Sequence, residues 1–143
     1  MGPSVRFTRA LGAHVLIIDD DVIVRALAAA LLEQMGAHCE GVATGAEACT
    51  AVEAAASGGR PFDIVLLDQH LWQETGHEVC QRLRREGVRV PIVAMSGDGL
   101  TIDRQFRDAG FDGALKKPFS VEDLHACVEG HMGREHDGAI ETA

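Results

Sequence analysis

The chain has 143 residues, enough for one domain with its own core, and 46% of them are apolar, which argues against extensive disorder. Its formal charge of −9, from 13 Lys+Arg against 22 Asp+Glu, speaks against a free-standing nucleic-acid binder and against docking to an anionic membrane surface. No apolar stretch is long enough to span a bilayer and no signal-peptide layout is seen at the N-terminus, so a cytoplasmic location is expected.

Residues 1–12 have no clear period and are expected to form a flexible N-terminal tail. The run HVLII (14–18) predicts a first strand buried on both faces, and it ends on Asp19, Asp20 and Asp21. A helix is predicted over 22–35, with Val24, Leu27, Leu31 and Met35 on its inner face and Gly36 as its stop. Residues 39–42 make a weaker second strand, required mainly by the alternation of elements. Thr44 is an N-cap with Glu47 positioned for a capping box, opening an Ala-rich helix to about Ala56 that Ser57-Gly58-Gly59 breaks. IVLL (64–67) is the third strand and ends on Asp68.

Residues 73–76 read as a loop and 77–86 as a helix with Val79, Cys80 and Leu83 inward. Pro91 opens the fourth strand, IVAM (92–95), which runs into Ser96 and a flexible loop, Ser96-Gly97-Asp98-Gly99. A short helix over 101–109 ends at Gly110, and a fifth strand covers 113–116. Ser120 caps a last helix with Glu122 and Asp123 in its first turn, where the helix dipole favours acid. Val121, Leu124 and Val128 face inward, and the pattern fades near Gly130. Residues 132–143 are polar and are expected to fray as a C-terminal tail, leaving 13–131 as the domain. Five strands alternating with five helices predict an α/β fold with a five-stranded parallel sheet. Cys39, Cys49, Cys80 and Cys127 are scattered without C-x-x-C spacing, so they read as small core residues in a reducing compartment.

In open α/β sheets, ligand sites lie outside the carboxyl ends of the strands. Here that edge gathers carboxylates, a hydroxyl and an ammonium group, a set suited to a divalent cation and a phosphoryl group. Adjacent carboxylates repel, and a hard cation removes that cost. Asp19 and Asp20, with Asp68 nearby, supply a Mg²⁺ site; the alternative is a solvated acidic turn, which Asp21 fits best as an N-cap. Asp68 can attack phosphorus to give an acyl phosphate, or can serve as a structural ligand or a cap. Ser96 can hydrogen-bond a phosphoryl oxygen or simply form a turn before Gly97, which leaves room for a donor. Strand alternation sends Lys116 and Lys117 in opposite directions, so only one of them reaches the site.

With VLIIDDDVIVR (15–25), FDIVLLD (62–68), Gly76, PIVAMSG (91–97) and GALKKPF (113–119) in this order, the chain resembles the receiver domain of two-component response regulators. The resemblance covers roughly residues 13–131 and implies a doubly wound, flavodoxin-like fold. It implies Asp68 as phosphoacceptor. It implies Mg²⁺ held by Asp19, Asp20, Asp68 and the backbone carbonyl of His70. Ser96 becomes the switch hydroxyl and Lys117 the phosphate-pairing lysine, with a cis Lys117–Pro118 bond. The implied donor is a phosphohistidine on a sensor histidine kinase or a histidine phosphotransfer protein. The receiver would catalyse only its own phosphorylation and dephosphorylation. Phosphorylation would then rearrange the face of the fourth helix, fifth strand and fifth helix for an output partner or a homodimer.

The chain departs from the family at two positions. Ala114 stands where many receivers carry an aromatic in the fifth strand, and Trp72 stands where a Pro usually follows the acceptor aspartate. Trp72 is either a partner contact or a cover for its own loop. Two other readings remain open. One is a receiver-like interaction module that works without phosphorylation, which Ala114 keeps in view. The other is a small phosphohydrolase of the haloacid-dehalogenase type, suggested by Asp19-x-Asp21, Ser96 and a later Lys, for which Glu122 and Asp123 would have to supply the second acidic pair.

Overall fold

The computed structural model describes residues 10–97 and 102–136. The five strands and five helices expected from the sequence are present. They are β1 (His14–Ile18), α1 (Val22–Gln34), β2 (His38–Val42), α2 (Gly45–Ser57), β3 (Ile64–Asp68), α3 (Gly76–Arg85), β6 (Ile92–Ser96), α4 (Arg104–Asp108), β7 (Gly113–Lys116) and α5 (Val121–His131). A two-stranded hairpin, β4 (His70–Leu71) and β5 (Glu74–Thr75), follows β3. The sheet order is β2-β1-β3-β6-β7, parallel throughout.

Each central strand is buried on both faces, which explains its unbroken apolar run. Leu16, Ile18, Val65 and Leu67 point to one side, where Ala48 and Cys49 of α2, Val79, Cys80 and Leu83 of α3, and Phe106 of α4 cover them. Val15, Ile17, Ile64 and Leu66 point to the other, against Ala28 and Leu32 of α1 and Leu124 and Val128 of α5. Two of the cysteines, Cys49 and Cys80, are buried, and all four are free thiols.

Several local expectations are corrected. Leu27 does not lie on the inner face of α1: it is 52% exposed, and Ala28 and Leu32 are buried instead. The helix is apolar nearly all round, so periodicity alone does not choose the face. Residues 70–75, expected in part as a loop, close into the hairpin, with Gln73 at φ 65° in its turn. The Thr44 cap is present, but Glu47 reaches the Ala43 N–H (3.3 Å) and the Thr44 hydroxyl rather than the Thr44 N–H. α4 begins only at Arg104 behind its N-cap Asp103. Asp98, Gly99 and Thr101 lie outside the described residues.

Residues at both ends of the described chain hydrogen-bond to the body of the fold. Leu11 and Gly12 donate N–H bonds to the Met35 and Gly36 carbonyls at the end of α1 (2.9 and 3.0 Å). His136 donates its N–H to the Arg89 carbonyl (2.7 Å) and its Nδ1–H to Asp112 Oδ1 (2.8 Å).

Candidate functional site

The register decides which side chains meet at the carboxyl edge of the sheet. Ile18 pairs with Leu67, so Asp19 and Asp68 leave their strands at the same level. Asp68 pairs with Met95 and Ser96 with Lys116, which brings the ends of β6 and β7 alongside. Asp19 is fully buried and Asp68 is 8% exposed, whereas Asp20 faces solvent. One carboxylate oxygen from each of the three lies within 4.8 Å of the others.

Lys117 spans the two buried acids, with Nζ 2.6 Å from Asp19 Oδ2 and 3.4 Å from Asp68 Oδ1. The structure thus brings Lys117, and not Lys116, to the cluster. The turn that aims it includes a cis Lys117–Pro118 peptide, as expected, and a bond from the Lys117 N–H to the Ser96 carbonyl (2.7 Å). Asp19 Oδ1 also accepts the Asp21 N–H (2.9 Å), and its main-chain carbonyl accepts from the Arg25 guanidinium (2.7 Å). Asp21 caps α1, accepting the Ile23 N–H at 2.8 Å, so it is taken up by the helix rather than by the cluster.

Burial, and next the charge of Asp19 beside it, push the Asp68 carboxyl above its ordinary value, against the lowering pull of Lys117 and the His70 N–H. Burial works against the charge on Lys117, but the hydrogen bond and charges of Asp19 and Asp68 outweigh it and hold the ammonium above its ordinary value. The asymmetry has a simple origin: Lys117 faces two carboxylates, whereas Asp68 faces one ammonium and a like charge. Three carboxylates against one ammonium leave excess negative charge, and their all-oxygen donor set fits a hard divalent cation such as Mg²⁺.

Ser96 is buried at the tip of β6. Among the described residues, a Cβ built on the adjacent Gly97 meets nothing within 4 Å. His70 is exposed and its N–H points towards Asp68 Oδ1 (3.4 Å). Trp72, in the hairpin turn, is 73% exposed and does not cover its loop. Ala114 is exposed on β7.

Two positioning residues had no assigned role in the sequence reading. Gly76 begins α3 directly beneath the end of β3: a Cβ there would sit 2.7 Å from both the Asp68 carbonyl oxygen and Gln69 Nε2. Glu74 of the hairpin accepts the Gly45 N–H (2.8 Å) and so caps α2 from outside that helix. Both depend on long-range packing; Gly76 stands in the sequence only as part of the family pattern, and Glu74 leaves no local signal. Glu122 and Asp123 stay on α5, where Asp123 closes a capping box with Ser120 (3.0 and 3.3 Å), which removes them as a second acidic pair.

The sequence profile of the response regulator receiver domain matches residues 15–129. Transcriptional regulatory protein TcrA of Mycobacterium tuberculosis is 36% identical over 126 residues, covering 87% of this chain and 48% of that protein. Two-component response regulator ORR41 of Oryza sativa subsp. japonica is 38% identical over 112 residues, covering 78% of this chain and 87% of that protein. The chain therefore spans about half the length of TcrA and most of ORR41. Among solved structures, chemotaxis protein CheY4 of Vibrio cholerae superposes with a TM-score of 0.71 at 25% identity, over 84% of this chain and 98% of that one.

Proposed function

This chain belongs to the response regulator receiver family, and from that premise we propose that it accepts a phosphoryl group on Asp68 from a phosphohistidine donor. The observation that carries the reading is the pair of contacts from Lys117 Nζ, 2.6 Å to Asp19 and 3.4 Å to Asp68, inside a cluster of three carboxylates at the sheet edge. Asp19, Asp20 and Asp68, with the His70 backbone carbonyl, would hold Mg²⁺, which when bound offsets charge on the phosphoryl oxygens.

The chain's own residues supply the rest. An Asp68 carboxylate oxygen forms the bond to phosphorus as the bond to the donor imidazole nitrogen breaks, and the electron pair returns to that nitrogen. Lys117 stays charged across the neutral range and pairs with a phosphoryl oxygen. Ser96 donates its hydroxyl to another. Gly76 keeps the Asp68 backbone fixed, and Asp19 keeps the lysine aimed at the acceptor. Receiver domains work with histidine kinases, and a sensor kinase or a histidine phosphotransfer protein is the proposed partner. The new dianion favours an inward Ser96 and shifts the population of the face built from α4, β7 and α5, where an output partner or a second copy would dock. With Ala114 exposed on β7, that readout runs without an aromatic at this position. Among the described residues no helix is long and apolar enough to cross a membrane, and a cytoplasmic location is part of the proposal.

The test is intact-protein mass after incubation with acetyl phosphate, with and without Mg²⁺, for the wild type and Asp68→Ala. A metal-dependent phosphoryl adduct, absent in the variant, is expected. No adduct, with beryllofluoride leaving Trp72 fluorescence unchanged, would transfer the reading to a phosphorylation-independent module.

A further inference from the structure

A second cluster lies at the opposite pole of the sheet, where β1 and β2 begin. His14 and His38 are the first residues of those strands and sit in register. Glu40 follows His38 by two, so all three side chains project from one face. One ligand atom from each lies within 4.8 Å of the others, with His14 Nε2 4.0 Å from Glu40 Oε1. The His14 and His38 ring centroids are 5.2 Å apart, and Phe62 backs the His14 ring at 4.3 Å.

His14 gives the cluster its direction. The residue is 5% exposed. Its Nδ1 meets the Arg60 carbonyl at 2.9 Å and the Pro61 carbonyl at 3.3 Å. A carbonyl only accepts, so Nδ1 carries the ring hydrogen, and Nε2 is the nitrogen with the lone pair in the neutral ring. That Nε2 is buried and has no hydrogen-bond partner. A buried polar atom without a partner costs free energy, which a ligand recovers. An imidazole held through one nitrogen by a main-chain carbonyl, with the other nitrogen free, is set up as a metal ligand.

We propose that His14 Nε2, His38 and Glu40 bind a transition-metal dication of the zinc class, bridging β1 to the edge strand β2. Two imidazoles and one carboxylate suit Zn²⁺ and not Mg²⁺, which prefers all-oxygen sets. Zn–N and Zn–O bonds of about 2.0–2.2 Å put tetrahedral ligands roughly 3.4 Å apart. The cluster must therefore contract by about an ångström, and the exposed side chains of His38 and Glu40 are free to swing onto the fixed His14. Three protein ligands leave a fourth position for water or for a donor from a partner. The ion ties down the edge strand at the end of the sheet away from Asp68, so its binding is separate from phosphoryl chemistry.

The experiment is calorimetric titration of Zn²⁺ into the full chain with about 10 mM Mg²⁺ present to hold the acid cluster, alongside thermal melts. One equivalent is expected to bind and to raise the melting temperature. His38→Ala is expected to weaken that binding about 100-fold and Glu40→Gln about tenfold, with circular dichroism unchanged. His14→Phe keeps an aromatic ring against Phe62 and removes Nε2; it is expected to abolish the melting shift. Wild-type affinity in His38→Ala, or binding lost in Asp68→Asn but kept in His38→Ala, would overturn the proposal.

Discussion

In Asp68→Asn, one carboxylate leaves a cluster in which its charge has an unfavourable balance. With an effective dielectric constant near 20, unit charges 3.4 Å apart, the Lys117–Asp68 separation, attract by about 5 kcal/mol. Like charges at the 4.8 Å limit between Asp68 and Asp19 repel by about 3.5 kcal/mol. The remaining attraction of about 1.5 kcal/mol stands against several kcal/mol for taking a carboxylate out of water. Asp20, screened by solvent, adds a smaller repulsion. The Asn variant is therefore expected to be more stable than the wild type by about 1–2 kcal/mol at pH 7 in EDTA.

The pH dependence has a definite sign. The folded-state value of Asp68 lies above its ordinary 3.8. Between those two values the folded protein binds more protons at this site than the unfolded chain does. Wild-type stability contributed by Asp68 thus falls as pH rises through that window and levels off above it. The advantage of Asp68→Asn is full above the folded-state value of Asp68 and shrinks as pH falls from there towards 3.8. Excess Mg²⁺ should narrow it as well, because ion binding stabilises the form with three carboxylates. Urea unfolding of both proteins across this pH range, with EDTA or Mg²⁺, measures the difference. A variant less stable than the wild type by about 1 kcal/mol at pH 7 in EDTA, or a gap that widens on acidification, would refute the electrostatic account.

Other perturbations probe the scaffold. Gly76→Ala forces a Cβ against the Asp68 carbonyl oxygen at 2.7 Å; it should cost about 1–3 kcal/mol in urea melts and slow phosphorylation by acetyl phosphate. Asp112 accepts from the half-buried Arg84 guanidinium (2.6 Å), the Ile92 N–H (2.9 Å) and His136. Its replacement by Ala should cost about 2 kcal/mol, and Asp112→Asn, which keeps an acceptor, should cost less in the same melts. Burial raises the thiols of Cys39 and Cys80 to about 12 and those of Cys49 and Cys127 to about 11. All four should react slowly with a disulfide reagent at pH 8 in the native state and fast in denaturant; fast native labelling would count against the packing described.

The strands were legible because a doubly covered parallel sheet leaves unbroken apolar runs, and each run marked by an acid, a hydroxyl or a lysine proved to be a strand end. The acid cluster was legible for the same reason, since a parallel sheet carries all such ends to one edge. What escaped needed information that is not local. The face of α1 was ambiguous because Val22, Ile23, Val24, Leu27, Leu31 and Leu32 surround it, and only the sheet selects Ala28 and Leu32. The β4–β5 hairpin has two-residue strands, too short for an alternation to register. Alternation said that only one of Lys116 and Lys117 could reach the site, and the backbone after β7 selects Lys117. His14, His38 and Glu40 become neighbours only through the β1–β2 register, and the expected second strand, 39–42, left His38 outside it.

The contact between Glu74 and Gly45 bears on how this domain can be recombined. Loops beside the aspartate at a sheet edge are natural segments to exchange when recombining receiver domains. Here the segment after β3 carries a carboxylate that adds to the Thr44 cap of a different helix. A Cβ on Gly45 would sit 2.8 Å from Glu74 Oε1 and 2.9 Å from Val79 Cγ2. Donor and acceptor must therefore travel together: a transplanted loop lacking the carboxylate leaves the Gly45 N–H without this partner, and one bearing it fits only a recipient with glycine at that position. In a library of chimaeras, the two sites would be inherited as a unit.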